Sequence, residues 1–299
     1  MGSDGRDGDC DPEEAELFAE FFSWARENGA LGLEQIRVAP FEKSGVRVRG
    51  LAAVMDVCGP IIIPRCLLMT AASADELALR LVCEELKMRS GGESFWSPWI
   101  RMVPTRAEMQ QEHLVYACEE LLEAFAALPV VARVRGWNAK LRETWEGLEE
   151  KGFTYDDFRW ASAVVLSRVY LPPPTYCFMP FADMMNTGPA PNMQVFDFLE
   201  VGESTEAEHY GLLLLEGASV PAGAELLQAY DEVDNAERLF RGGFLLEDNP
   251  QELPRLDDAS VRTALELALS HRLPEAEARQ PRLLASLRAL AREHCAGLE

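Results

Sequence analysis

Lysine is scarce in this chain. Of 28 basic residues only Lys43, Lys87, Lys140 and Lys151 are lysines, and 50 acidic residues leave a formal net charge of −22. No cationic stripe exists to neutralise phosphates, so nucleic acid is not an expected partner. The balance fits a basic protein partner, or nothing more than solubility; the arginine bias reads as codon composition. Paired cysteines are also missing. Cys10, Cys58, Cys66, Cys83, Cys118, Cys177 and Cys295 show no CxxC or CxC spacing, which argues against a disulfide framework and a zinc site. His113, His209, His271 and His294 lie far apart without an HExxH, so no metal is expected. No apolar run approaches the ~18 residues needed to span a bilayer, so no membrane is expected either. The start, MGSDGRDGDC, has neither a hydrophobic signal core nor the basic character of a transit peptide. Arg6 stands where a myristoylation signal wants Ser or Thr. The expected compartment is reducing and intracellular, cytoplasmic or nuclear.

What is present is ample material for a core: 299 residues, 48% of them hydrophobic, enough for one large domain or two. Residues 1–10 are Gly/Asp-rich and expected to be disordered. Asp11-Pro12-Glu13-Glu14 reads as a helix start, with Leu17, Phe18, Phe21, Phe22 and Ala25 at helical spacing and Gly29 as the stop. Between 35 and 70, β-branched clusters separated by Gly45, Gly50 and Gly59 read as short strands joined by tight turns. Helices are expected from Ser73 to about Gly91, from Thr105 to Leu128, over 131–150 and from Thr154. Short strands return at Tyr176–Met179, Met193–Phe198, Leu212–Leu215 and Glu225–Ala229. Two helices follow, around Val261–Leu269 and Glu275–Ala291. Strand-rich, helical, strand-rich, helical is an unusual order.

The most informative stretch is Asp183-Met184-Met185-Asn186-Thr187-Gly188-Pro189-Ala190-Pro191-Asn192. Alone it is an ordinary polar turn. Its company changes the reading. Arg49-Gly50-Leu51 with Asp56 and Gly59, then Ser94-Phe95-Trp96 with Pro98, lie upstream. Tyr230, Asn235-Ala236, Gly243-Phe244 and Asn249-Pro250 lie downstream. Five pieces occur in one order: GL-A--D--G, SFW-P-I--VP, F-WA---V-SR, P-AD--N-----N and Y----NA--L---GF----NP.

In that order they resemble the SET-domain protein methyltransferases, most closely the branch typified by Rubisco large-subunit methyltransferase, over about Phe18 to Pro250. The resemblance implies an α+β fold of short strands in small sheets, interrupted by a helical insert and closed by a short helical tail. The implied divisions are 11–104 and 156–250 for the two SET parts, 105–155 for the insert and 251–299 for the tail. It further implies S-adenosylmethionine as cofactor and a protein substrate, most simply a lysine. Two alternatives stay open: a histidine acceptor, or a catalytically inactive SET-fold module that binds a partner protein.

Carried over residue by residue, Arg49, Gly50 and Leu51 match the donor-facing glycine loop. Arg168 matches an arginine near the donor's carboxylate; Asp183, Asn186 and Asn192 match the AD--N-----N element, where Asn186 and the following backbone at Thr187 hold the donor; and Tyr230 matches the catalytic tyrosine. Taken alone, Tyr230 would read as a core tyrosine at a strand end. Phe181, Phe196, Phe198 and Phe244 are the candidate aromatic walls of a substrate channel, since a sulfonium and an amine both favour aromatic faces. The chain also departs from the family. Thr187 replaces the histidine of the usual Asn-His pair, Val48 replaces a glycine, and Gly242 stands where a second active-site tyrosine is usual. After the SET core the resemblance implies a large helical substrate-binding region, of which residues 251–299 are expected to supply only a short part.

Overall fold

The computed structural model describes residues 12–43, 46–148, 152–170, 175–198, 208–230, 232–251 and 259–296. The expectation for residues 1–10 and the helix cap at Asp11 lie outside them. In chain order the elements are α1 (Pro12–Glu27), β1 (Ile36–Lys43), β2 (Val46–Ala53), β3 (Ile61–Pro64), β4 (Met69–Ala71), α2 (Ala74–Arg89) and α3 (Ser97–Ile100). Then come α4 (Arg106–Glu112), α5 (Glu119–Ala124), α6 (Pro129–Glu146), α7 (Tyr155–Arg168) and β5 (Tyr176–Phe178). The last are β6 (Met193–Phe198), β7 (His209–Leu214), β8 (Glu225–Leu226), α8 (Asn235–Gly242), α9 (Ala259–Ser270), α10 (Pro274–Arg279) and α11 (Pro281–Ala296). The mixture is α+β, as expected. Among the described residues no helix is long and apolar enough to cross a membrane.

The chain divides into two compact units, each built from three separate stretches. The first comprises 1–69, 87–103 and 179–229; the second comprises 70–86, 104–178 and 230–299. In the first unit, β1 and β2 form an antiparallel hairpin with Ile36 opposite Ala53 and Lys43 opposite Val46. On its other edge β2 takes β8, Leu51 pairing with Leu226. Having neighbours on both sides is why Gly50–Ala53 are all buried. A second sheet orders β3-β7-β6, all antiparallel, with Ile61 and Val195 both opposite Leu212. Helix α1 buries Phe21, Phe22, Trp24 and Ala25, and Phe21 and Phe22 both meet the fully buried Phe181 ring. Each such aromatic contributes about 1.5–3 kcal/mol by leaving water.

Gly50 was expected in a turn. It sits inside β2 instead, and the reason is steric: a Cβ there would lie 2.5 Å from Asn186 Nδ2 and 3.0 Å from Glu225 Oε1.

The second unit is chiefly helical; the β4–β5 pair also falls in it, apart from Met69. The single helix expected over Thr105–Leu128 is broken. The Thr105–Glu108 capping box does start α4, but the chain turns extended at His113 and restarts at α5. Likewise the helix expected over 275–291 is split at Gln280-Pro281, where proline lacks the N–H that continuation needs. One side chain serves both breaks. The buried Gln280 amide donates to the carbonyls of Gln110 and Tyr116 at 2.6 and 2.8 Å, and accepts from the Cys118 N–H at 2.8 Å. Backbone groups that a continuous helix would have paired are thereby paired by a tertiary contact. Helix α8 was not expected; Asp234 caps it through the Glu237 N–H at 2.8 Å, and Gly243 at φ 74° ends it.

Candidate active site

In the first unit the candidate residues gather around Asn186. Its side-chain N–H groups donate to the Arg49 carbonyl at 3.1 Å and to Glu225 Oε1 at 2.8 Å. The second carboxylate oxygen of Glu225 receives Lys43 Nζ at 2.6 Å. The Asn186 carbonyl accepts from the Gln228 N–H at 3.0 Å. Six residues on, Asn192 repeats the device: its Oδ1 accepts from the Leu227 N–H at 2.9 Å and its Nδ2 donates to the Glu225 carbonyl at 3.0 Å. The spacing of the two asparagines thus has a physical reason. Each clamps the strand-like 225–228 segment from one side chain, leaving that segment little freedom.

Asp183 and Leu51 are turned inward. Asp183 is buried, and its Oδ2 accepts the Trp99 indole N–H at 3.0 Å. Two of the motifs seen in the sequence are therefore joined by one hydrogen bond. Leu51 is fully buried at the centre of the β1-β2-β8 sheet, so only its backbone is placed to meet a ligand. Thr187 is buried and Arg49 half-buried. Phe181 belongs to the core rather than to an open channel wall, because its ring is enclosed by Phe21 and Phe22. It also holds φ 68°, ψ −47°, a costly backbone conformation for a bulky residue. The core contacts hold that strained residue two positions before Asp183. Phe196 is 48% exposed on β6; the side chain of Phe198 lies outside the described residues.

The remaining candidates are in the second unit. Arg168 is the half-buried last residue of α7. Tyr230 is half-buried and packs edge-to-face on Phe244, with centroids 6.0 Å apart and planes at 70°. Just before Phe244, the end of α8 is tethered by His113, whose Nε2 lies 2.9 Å from the Arg241 carbonyl. His113 Nδ1 accepts from the Val115 N–H at 3.4 Å. Burial pushes the His113 pKa down to about 4, with the nearby Arg159 charge acting in the same direction. The ring is neutral and its Nε2–H donates.

No family model matches the chain. Actin-histidine N-methyltransferase of Gallus gallus is 25% identical over 281 residues, which takes in 81% of this chain and 44% of the relative. The Mus musculus protein of the same name is 24% identical with the same coverage. The chain thus spans less than half the length of these curated relatives. Among solved structures, the SET domain of LSMT bound to lysine and AdoHcy superposes with a TM-score of 0.66 at 17% identity, covering 94% of this chain and 76% of that one. Rubisco LSMT bound to sinefungin and monomethyllysine gives 0.62 at 16% identity, with the same coverage. The chain has the SET fold.

Within that SET fold, sequence reasoning missed Glu225 and Trp99. Glu225 is the only charged residue between Ala218 and Tyr230, and an isolated carboxylate beside a buried strand was the available signal. Trp99 carried no signal of its own, since its partner lies 84 positions away. Both Asn186 N–H groups are directed at protein oxygens, so its Oδ1 faces the other way as an acceptor.

Proposed function

We propose that the chain is an S-adenosylmethionine-dependent protein N-methyltransferase. The observation that carries this reading is the Gly50–Asn186–Glu225 cluster inside a SET fold. A donor molecule with ammonium and amino groups needs acceptors, and Asn186 Oδ1, the acceptor end of an amide whose N–H groups are already engaged, fits that need. The bare backbone at Gly50 fits close approach. In this proposal Asn186, Thr187 and the Arg49–Leu51 backbone hold the cofactor, with Asp183 acting from behind through Trp99. Once bound, the cofactor supplies a methyl on positively charged sulfur.

The chain's own residues then have three tasks. Fixed backbone and asparagine contacts orient the donor, and orientation supplies most of the rate of an in-line displacement. The Tyr230 phenol oxygen aligns the acceptor nitrogen and stabilises positive charge in transit. Aromatic surfaces such as Phe244 exclude water from the acceptor.

The acceptor is a side-chain nitrogen of a protein substrate. Lysine, the reading from sequence, must shed a proton at a cost of about 5 kcal/mol at pH 7, whereas a free histidine is already mostly neutral there. The actin-histidine relatives favour histidine as the second reading. Calorimetric titration with S-adenosylmethionine tests the donor site: micromolar binding is expected, and its absence would leave the silent SET-fold module. Labelled donor incubated with a lysate and, separately, with actin then tests transfer, and mass spectrometry of the labelled band distinguishes lysine from histidine. Tyr230→Phe should keep donor affinity and lose turnover.

A further inference from the structure

We propose that Gly242 and Phe244 are the positioning pair for Tyr230: the missing side chain at 242 is what lets the Phe244 ring lie edge-to-face on the phenol. The inference rests on the methyl-transfer reading for its kinetic consequence but not for its geometry. A Cβ on Gly242 would come within 2.6 Å of Phe244 Cε1 and 2.8 Å of Cδ1, so any other residue there must move the ring. The ring is the same one that sits 6.0 Å from Tyr230 at 70°.

The backbone around it has little room to compensate. Gly243 is left-handed at φ 74°, and its own Cβ would meet the Glu112 carbonyl oxygen at 2.7 Å. One residue earlier, the Arg241 carbonyl is held by His113 at 2.9 Å. With the helix end pinned on both counts, a side chain at 242 is accommodated by swinging Phe244, and the phenol loses the edge-to-face contact that this ring supplies. Gly242-Gly243 therefore carries two separate requirements, the second glycine for the backbone and the first for the ring.

A cycle of Gly242→Ala, Phe244→Leu and the double variant tests this. The protein is labelled with 3-fluorotyrosine, and the Tyr230 resonance is identified by its disappearance in Tyr230→Phe. Gly242→Ala should shift that resonance and lower the melting temperature. In the Phe244→Leu background the same change should leave the resonance in place and raise the melting temperature, because alanine is the better helix former once the ring is gone. With tritiated S-adenosylmethionine and the acceptor labelled in a lysate, Gly242→Ala should cut kcat by roughly ten- to a hundredfold, as expected for a misplaced reacting group. Donor affinity should stay unchanged, and in the Phe244→Leu background Gly242→Ala should cost no further rate, because the ring it would displace is already gone. A Tyr230 resonance unmoved by Gly242→Ala overturns the proposal. If the wild-type chain transfers no methyl, the functional reading fails, and the fluorine cycle still decides the geometry.

Discussion

Replacing Asn186 by aspartate inverts the chemistry of the cluster while barely changing its shape. The wild-type amide donates to Glu225 Oε1 at 2.8 Å and to the Arg49 carbonyl at 3.1 Å. In Asn186→Asp both donors become acceptors, and a second carboxylate faces the first. Two unit charges about 4 Å apart repel by about 4 kcal/mol at an effective dielectric of about 20. Lys43, already 2.6 Å from Glu225 Oε2, offsets part of this, so a net loss of about 3 kcal/mol is expected. The introduced carboxyl titrates above its unfolded value because a like charge disfavours ionisation. A folded-state pKa raised in this way means stability is retained below about pH 4 and lost as pH rises through about 6.

Urea unfolding followed by tryptophan fluorescence, at pH 4.5 and at pH 8, measures the effect; Trp24, Trp96 and Trp99 all belong to the affected unit. The variant should fall about 1–2 M short of wild type at pH 8 and much less at pH 4.5. Adding Glu225→Gln should recover most of the loss, since a glutamine N–H can donate to the new carboxylate. An equal loss at both pH values, or no rescue by Glu225→Gln, would refute the clamp.

Three further outcomes follow from the same structure. His113, held neutral with its pKa lowered to about 4, should cost the fold up to about 3 kcal/mol as pH falls from 6.5 towards 4, because the unfolded chain binds the extra proton first; the acid slope of the melting temperature should be shallower in His113→Gln. Arg106→Ala should cost about 3 kcal/mol by thermal melting, because it removes the guanidinium that pairs with both the buried Asp157 and Glu85. Arg106→Lys should recover only part, since one ammonium cannot reproduce both guanidinium contacts and the stacking 4.4 Å over Trp160. Gly50→Ala should weaken S-adenosylmethionine binding in calorimetry by more than about tenfold through overpacking, whereas Gly59→Ala, with nothing within 4 Å of the added carbon, should leave it unchanged.

Much of the fold could be read from the chain because its signals are local. The Thr105–Glu108 capping box, the run Ile61–Ile63 and the Phe21/Phe22 stripe of α1 each needed only neighbours a few positions away. Misreadings occurred where the deciding partner is remote. The break at His113 is stabilised by Gln280, which reaches Cys118 from 162 positions away. Gly50 reads as a turn glycine because a turn and a close approach use the same letter; only the arrival of Asn186 and Glu225 distinguishes them. Phe181 looked like a channel aromatic by its place beside the Asp183 motif, yet α1 supplies rings that enclose it. Helix α8 spans only Asn235–Gly242, too short for periodicity to announce it.

The three-strand sheet β1-β2-β8 also sets a timetable for synthesis. Ala53 and Glu225 are separated by roughly 170 residues, so at ~5–20 residues per second one edge of the nascent hairpin waits about ten to thirty seconds for its third strand. Its unsatisfied amides and the apolar Leu51–Ala53 run are open to other chains throughout that delay. A ribosome stalled between those two points would carry a sticky, half-made sheet, and chaperone capture should peak on arrested chains of that length.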